Sequence, residues 1–315
     1  MSFVKTMHLK FKTLWASLAA GSLVCAANTP TLAEVRLSTV TSRGSVHLLV
    51  AQQGDPSLPG ILFIHGFAQS YLSFRRQFGS ALSAKYHLVA FDLRGHGGSD
   101  KPGAVEAYAS SKVWADDVAA VIEATGLKRP VIVGWSYGGY VAIDYLRHYG
   151  IKNIAGLNLV GSLGGLADAL ADTAGDSDAA RAMRARSNRK RSLNLLDNIM
   201  AGKETAAGYV TSNMTPEDRD ILFATEMMMP AYARRFMVSR QLGNADVLKT
   251  ITIPVLFTRG SKDLTMPPAA LAKLLQMLPN AKLSAYEDTG HLPFVEHTDR
   301  FNDELAAFVD AVAAR

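Results

Sequence analysis

Cysteine is almost absent from this sequence, with one in 315 residues, so an intramolecular disulfide and a cysteine-based metal cluster are both excluded. Proline is scarce as well, with 12 residues, whereas apolar residues make up 48% of the chain. Such a composition excludes collagen-like, disulfide-dense and disordered chains. Acidic residues number 28 against 33 basic ones, which leaves a net charge of +5. The composition therefore predicts a globular protein with a large buried core.

The first 33 residues have the three parts of a secretory signal peptide. Lys5, Lys10 and Lys12 form a basic start, and the uncharged, mostly apolar run 14–27 follows. This run is shorter than the about 20 residues of a membrane-spanning helix, and residues 31–33 then offer small side chains to a signal peptidase. We therefore predict that residues 1–33 are cleaved, that the protein is periplasmic or secreted, and that no stable membrane span remains. A retained N-terminal anchor helix is the alternative.

The lone cysteine and part of the basic excess belong to this leader. Cys25 lies within it, and it holds three basic residues and no acidic one, so cleavage lowers the net charge to +2. A second basic run, from Arg181 to Arg191, is typical of a solvated helix face. Recognition of an acidic substrate and anchoring to an anionic envelope surface stay open for this run. Because no aromatic interleaving or nucleic-acid motif accompanies it, we expect no nucleic-acid partner.

Short apolar runs alternate with helical patterns from Val35 onward, and most are continuous, as in strands that are covered on both faces. This alternation predicts an α/β fold, a mostly parallel eight-stranded sheet with helices on both faces. The expected strands are Val35–Val40, Val46–Ala51, Ile61–Ile64, Leu88–Phe91, Val131–Val133, Ile154–Val160, Val255–Thr258 and Lys282–Tyr286.

The alternation is interrupted once, between Ser162 and Ile253, by residues with helical periodicity and no convincing strand. So long a stretch does not fit a structureless loop in a compact domain. We predict a helical cap over residues 163–250, inserted after the sixth strand into a core domain of residues 34–162 and 251–315.

A candidate nucleophile lies in Gly134-Trp135-Ser136-Tyr137-Gly138, between the expected strand 131–133 and an expected helix over 139–148. The pattern G-x-S-x-G in a strand–turn–helix context is typical of a nucleophile elbow. The turn strains the serine backbone and crowds the positions two before and two after it, which explains Gly134 and Gly138. The helix N-terminus then favours a developing anion beside Ser136.

A serine nucleophile needs a base, and that base needs an acid to orient it. Asp263 follows the strand 255–258, and His291 follows the strand 282–286. Loops at the carboxyl ends of parallel strands share one edge of the sheet, so Ser136, Asp263 and His291 can converge there in a known chain order. Asp288 and Glu296 are the alternative acids, although Asp288 would have to fold back onto a residue three positions away.

The loop after the strand 61–64 supplies a candidate oxyanion hole. Gly66 would let the backbone approach the substrate, with the N–H of Phe67 facing the site. The N–H of Tyr137, the residue after the nucleophile, would be its partner. We expect His65 to be a structural histidine that braces this loop.

Together these segments resemble the α/β-hydrolase fold superfamily over roughly residues 40 to 313. The matching motifs are H-G-F at 65–67, F-D-L-R-G-H-G-G-S-D at 91–100, G-W-S-Y-G-G at 134–139, G-S-K-D at 260–263 and T-G-H-L-P-F at 289–294. The resemblance implies that the 91–100 loop is structural. It is closest to capped esterases, cofactor-free haloperoxidases (perhydrolases), lactonases, carbon–carbon-bond hydrolases and proline iminopeptidases. Serine at 136 excludes the aspartate-nucleophile dehalogenases and epoxide hydrolases and the cysteine-nucleophile dienelactone hydrolases.

The sequence therefore predicts a serine hydrolase of a small ester-like substrate, with no metal ion and no organic cofactor. The same triad acting on a lactone, a carbon–carbon bond or an N-terminal proline peptide is the alternative, as is a perhydrolase. A non-catalytic binding module on the same scaffold is a further hypothesis, and it is disfavoured because all three triad residues are present. The oligomeric state stays open.

Overall fold

Eight strands form one sheet in the computed structural model, which describes residues 34–166, 178–209 and 213–314. The predicted leader, residues 1–33, lies outside the described residues. The strands are β1 (Arg36–Ser42), β2 (Val46–Gln53), β3 (Gly60–Ile64), β4 (His87–Phe91), β5 (Val131–Trp135), β6 (Gly156–Val160), β7 (Val255–Gly260) and β8 (Ala281–Tyr286). Their order across the sheet is β1-β2-β4-β3-β5-β6-β7-β8.

The sheet is parallel from β4 to β8, and β2 pairs antiparallel with both β1 and β4. Every residue of β3, β4, β5 and β6 is buried, as expected for strands covered on both faces. Along β3, Leu62 and Ile64 point into one apolar cluster, while Ile61 and Phe63 point into the other. The structure thus confirms the α/β fold, with a core on each side of the sheet.

Helices cover both faces of the sheet and fill the connection between β6 and β7. In chain order they are α1 (Arg75–Phe78), α2 (Glu106–Ala109), α3 (Ser111–Ala124), α4 (Tyr137–Tyr149), α5 (Asp178–Lys190), α6 (Leu195–Gly208), α7 (Pro216–Met227), α8 (Ala231–Ser239), α9 (Ala245–Leu248), α10 (Pro268–Met277), α11 (Pro293–Glu296) and α12 (Thr298–Ala313). Two 3-10 turns, Tyr71–Phe74 and Ala81–Ala84, lie between β3 and β4.

Helices α5 to α9 lie in the segment that the sequence assigns to a cap, residues 163–250. The described part of this segment contains no strand. Helix α7 has a complete capping box, in which the Thr215 side chain and Asp218 satisfy each other's backbone N–H groups. Among the described residues, no helix is both long and apolar enough to cross a membrane.

Strand and helix boundaries differ from the sequence expectation, most informatively at the start of β6 and on the two sides of Ser136. Strand β6 begins at Gly156 and not at Ile154, because the Ile154 N–H closes a turn onto the Ile151 carbonyl. Strand β5 continues to Trp135, and α4 already begins at Tyr137. A single residue, Ser136, therefore makes the whole turn from strand to helix.

Candidate active site

Ser136 has a strained backbone, with φ +53° and ψ −117°. The left-handed φ is unfavourable for a residue with a Cβ, so neighbouring contacts must hold it. The Ser136 N–H donates to the Val160 carbonyl over 2.9 Å, and the Ser162 hydroxyl donates to the Ser136 carbonyl over 2.7 Å. The end of β6 thus fixes the half-buried serine at the carboxyl edge of the sheet.

Both elbow glycines lie where a side chain has no room. A Cβ on Gly134 would be 2.7 Å from the Gly139 Cα, across the turn. A Cβ on Gly138 would clash with the Ile64 carbonyl oxygen at the end of β3. Crowding therefore explains the glycines of the motif, and for Gly138 the crowding comes from the neighbouring strand.

The loops after β7 and β8 bring Asp263 and His291 into contact. Asp263 Oδ2 accepts a hydrogen bond from His291 Nδ1 at 2.8 Å, and both side chains are buried. The other carboxylate oxygen accepts from the N–H and the hydroxyl of Thr265, at 2.8 and 2.7 Å. With Nδ1 as the donor, the proton is absent from Nε2 in the neutral imidazole, which leaves Nε2 able to accept one.

Asp263 is held as a carboxylate despite its burial. Burial by itself raises the pKa of this carboxyl. The positive charge of a protonated His291 and the hydrogen bonds from His291 and Thr265 lower the pKa by more than burial raises it. The net pKa is below the usual value. On the opposite side of the ring, His291 Nε2 is buried and hydrogen-bonds to no atom of the described residues.

Two aromatic residues and a glycine place His291 next to the elbow. Trp135 donates its indole N–H to the His291 carbonyl over 3.0 Å, and the His291 N–H donates to the Tyr209 carbonyl over 2.7 Å. The ring centroids of Trp135 and Tyr209 lie 5.5 and 5.0 Å from that of the imidazole. Gly161, at φ +53°, leaves room for the imidazole because it has no side chain. An added Cβ would be only 2.9 Å from His291 Nδ1.

The two alternative acids lie elsewhere. Asp288 is 87% exposed at its side chain and pairs with Lys262 Nζ at 2.9 Å. Glu296 Oε1 accepts the Gly290 N–H over 2.8 Å, so it braces the loop that carries His291. Of the three carboxylates considered, Asp263 is the one that faces the imidazole.

The candidate oxyanion loop lies against the elbow. A Cβ on Gly66 would be 3.1 Å from the Ser136 Cβ, closer than an ordinary van der Waals contact, so the loop packs tightly against the elbow. The Phe67 and Tyr137 rings lie 6.4 Å apart, and Tyr137 is the first residue of α4, where the N–H has no intrahelical acceptor. The two expected donor residues are therefore neighbours.

Two buried histidines brace this loop. His65 Nδ1 donates to the Gly66 carbonyl over 2.8 Å, and His65 Nε2 accepts from the Leu93 N–H over 3.0 Å. His96 Nε2 accepts from the N–H of Ala68, which is at φ +56°, over 3.1 Å. Burial lowers the pKa of His65 to about 4, and burial together with nearby His65 lowers that of His96 well below its usual value. Both imidazoles are therefore neutral and support the loop through hydrogen bonds, in agreement with the structural role expected for His65.

Sequence reasoning missed several residues that support the site. Gly161 and Ser162 directly follow β6 at the same edge of the sheet as the triad. Their position in the sequence could therefore have predicted that they contact the site. Arg240 had no local signal: its guanidinium is buried 4.9 Å from the Tyr137 ring centroid and pairs with Asp144 of α4 at 2.6 Å. The segment after α8 is thereby linked to the helix that follows Ser136.

A metal centre has no support in the described part of the chain, where no group of three or more His, Cys, Asp or Glu side chains is arranged to hold an ion. The chemistry available at this edge is that of a serine hydroxyl, an imidazole with an accepting Nε2, and main-chain donors.

Comparisons with known proteins agree with the geometry. A family model described as the α/β hydrolase fold matches residues 59–298. The solved structure of an esterase from Rhodococcus sp. ECU1013 has a TM-score of 0.76 and 29% identity, and the match covers 88% of this chain and 99% of that one. A non-heme chloroperoxidase from Streptomyces lividans is 28% identical over 87% of this chain and 99% of its own length.

A second kind of relative matches over a shorter stretch. Epoxide hydrolase A from Mycobacterium tuberculosis is 38% identical over 96 residues, which is 30% of this chain and 30% of that relative. The chain thus spans under a third of that protein's length in this match.

Proposed function

Since this chain belongs to the α/β-hydrolase fold family, of the esterase and haloperoxidase-like type, we propose that it is a serine hydrolase that cleaves a carboxylic ester. The observation that carries the proposal is the buried 2.8 Å contact between Asp263 and His291, made beside a strained Ser136. Trp135, the neighbour of Ser136, donates its indole N–H to the His291 carbonyl, which holds the imidazole of this pair beside the serine elbow.

In the proposed reaction His291 Nε2 takes the Ser136 hydroxyl proton as the serine oxygen attacks the ester carbonyl. The Asp263 carboxylate accepts the Nδ1–H and stabilises the imidazolium that forms. Main-chain N–H groups of Phe67 and Tyr137 bind the oxyanion of the tetrahedral intermediate. The alcohol leaves with the proton from His291, and water then hydrolyses the acyl-enzyme through the same imidazole.

An active-site-directed fluorophosphonate tests the nucleophile. We expect a single adduct on Ser136 by peptide mass spectrometry, and none in Ser136→Ala. Ser261→Ala, which changes a serine in the neighbouring β7 loop, should label as the wild type does. An adduct on another residue, or equal labelling of Ser136→Ala, would contradict the proposal.

A substrate panel separates the ester from the other bonds that this triad could cleave. Short and long acyl esters, lactones, aminoacyl amides with N-terminal proline and a carbon–carbon substrate would be compared in the wild type and Ser136→Ala. We expect the highest kcat/KM on esters. Binding without turnover across the panel would instead indicate a non-catalytic module.

A perhydrolase is the second candidate, because the Streptomyces chloroperoxidase matches along almost all of its length. In that case hydrogen peroxide replaces water in the deacylation step, and a peracid is released. Peracid formation from an ester and peroxide, lost in Ser136→Ala, would identify this activity.

We further propose that the protein is exported, on the basis of the basic start and the apolar run 14–27. Expression of the full chain, cell fractionation and N-terminal sequencing test this. We expect a mature N-terminus near Glu34 outside the cytoplasm, and an intact leader on cytoplasmic protein would contradict it.

A further inference from the structure

A buried cluster of charges lies in the helices between β6 and β7. Lys190, the last residue of α5, places Nζ 3.2 Å from Oε1 of Glu226 on α7. Arg234 of α8 places NH1 3.3 Å from the same oxygen, and all three side chains are buried. Two cations therefore share one carboxylate, so the cluster keeps a net positive charge.

The Lys190 ammonium reaches both sides of the candidate active site. It lies 5.9 Å from the ring centroid of Phe67, in the oxyanion loop, and 5.4 Å from that of Tyr209. The Tyr209 ring in turn lies 5.0 Å from the imidazole of His291. A positive charge therefore stands next to the place where a substrate carbonyl would bind.

The Lys190 ammonium has more hydrogen-bond donors than polar partners among the described residues. Lys190 has three N–H donors, and its contact with Glu226 is its one polar contact among the described residues. The aromatic faces compensate part of its lost hydration by cation–π attraction but accept no full hydrogen bond. One turn earlier on α5, the Arg186 guanidinium lies 5.9 Å from the Tyr209 ring centroid and adds a second positive charge.

We propose that Lys190 recognises a carboxylate on the substrate, so that the enzyme prefers esters that carry a negative charge a few atoms from the reacting carbonyl. This inference rests on the proposed ester hydrolysis. It makes monoesters of short dicarboxylic acids the substrate class. Glu226 fixes the lysine side chain, and Arg234 offsets the charge of Glu226, which would otherwise repel an anionic substrate.

A matched pair of esters tests the inference. Monoethyl succinate carries the carboxylate, and ethyl 4-methylpentanoate replaces it by an uncharged group of similar shape. In the wild type we expect a higher kcat/KM for the anionic ester. Lys190→Met should lower the ratio of kcat/KM for monoethyl succinate to kcat/KM for the neutral ester by about 10- to 100-fold, the range for losing a hydrogen bond to a charged group.

Two further variants separate recognition from a packing effect. Lys190→Arg keeps the charge and should retain the preference for the anionic ester, whereas Arg191→Met removes an exposed neighbouring charge and should leave the wild-type ratio unchanged. A wild-type preference for the neutral ester, or an anionic-to-neutral ratio that Lys190→Met leaves within twofold, would overturn the inference.

Failure of ester hydrolysis is distinguishable from failure of this site. If the wild type cleaves neither ester, succinate binding is measured by isothermal titration calorimetry on the full protein. An affinity that falls at least tenfold in Lys190→Met supports the carboxylate site. Equal affinity in the two proteins, or no binding to either, overturns it.

Discussion

The indole N–H of Trp135 donates a hydrogen bond to the main-chain carbonyl of His291 over 3.0 Å. Trp135 is the last residue of β5 and the neighbour of Ser136, so this bond ties the end of one strand to the loop that follows another. Because the carbonyl belongs to the histidine itself, a shift of either loop changes the distance between the candidate nucleophile and its base.

Trp135→Phe should lower kcat by about tenfold, because it removes this hydrogen bond and keeps most of the ring that packs against His291. Tyr86→Phe is the control, since the Tyr86 side chain also donates a hydrogen bond to a main-chain carbonyl, that of Ala306 at 3.1 Å, without contacting the triad or the oxyanion loop. Both variants should lose about 1–2 kcal/mol of unfolding free energy. Steady-state kinetics and urea unfolding check this, and an equal kcat loss in the two variants would contradict a positioning role.

Gly161→Ala should reduce kcat by about 100-fold or more. The added methyl group would lie 2.9 Å from His291 Nδ1 and 3.0 Å from Asp263 Oδ2, and it would displace the pair. Gly126→Ala is the control, because Gly126 also has a positive φ, +68°, but has open space around its Cβ position. That variant should be destabilised by about 1–2 kcal/mol with unchanged kcat. Activity in Gly161→Ala equal to that of the control would refute the steric explanation.

Asp263→Asn should lower kcat by about 10³- to 10⁴-fold with little change in KM, since an amide cannot stabilise the imidazolium that forms on His291. Asp288→Asn, in the same sheet-edge region but exposed, should stay within about twofold of the wild type. Kinetics on one ester for both variants decides the point. A large loss in Asp288→Asn with a small one in Asp263→Asn would reverse the assignment of the acid.

Stability should fall as the pH drops from about 6.5 to about 4. Burial lowers the pKa of His65 to about 4 in the folded protein, against about 6.5 in an unfolded chain. Between these values the unfolded chain binds the proton more tightly, so stabilisation present above pH 6.5 is lost on acidification. The shift corresponds to about 3 kcal/mol for His65, and His96 acts in the same direction.

Urea unfolding at half-unit pH steps measures this loss. His65→Gln should be less stable at pH 7, with a shallower pH dependence between 6.5 and 4. His47→Gln, which removes a histidine that is 55% exposed, should keep the wild-type slope. A wild-type slope in His65→Gln would show that other groups cause the acid sensitivity.

Much of the fold was predictable because the relevant signals are local. Continuous apolar runs mark buried strands, and Gly134 and Gly138 mark a strained turn at Ser136. The strand boundaries were less predictable, as at Ile154, where a turn hydrogen bond competes with the sheet. The basic run Arg181–Arg191 shows the same limit: the pattern indicates a solvated face, yet Lys190 at its end is buried.

Chain order and residue spacing were sufficient to establish the fold class and to nominate Ser136, Asp263 and His291, since each lies next to its own strand or turn. Contacts between distant segments required the folded chain. That Asp263 and not Asp288 faces the imidazole depends on how the β7 and β8 loops pack. The burial of Lys190 between Phe67, Tyr209 and Glu226 depends on three separate segments. Such contacts leave no periodic trace in any one stretch of sequence, because the partners lie far apart along the chain and only packing brings them together.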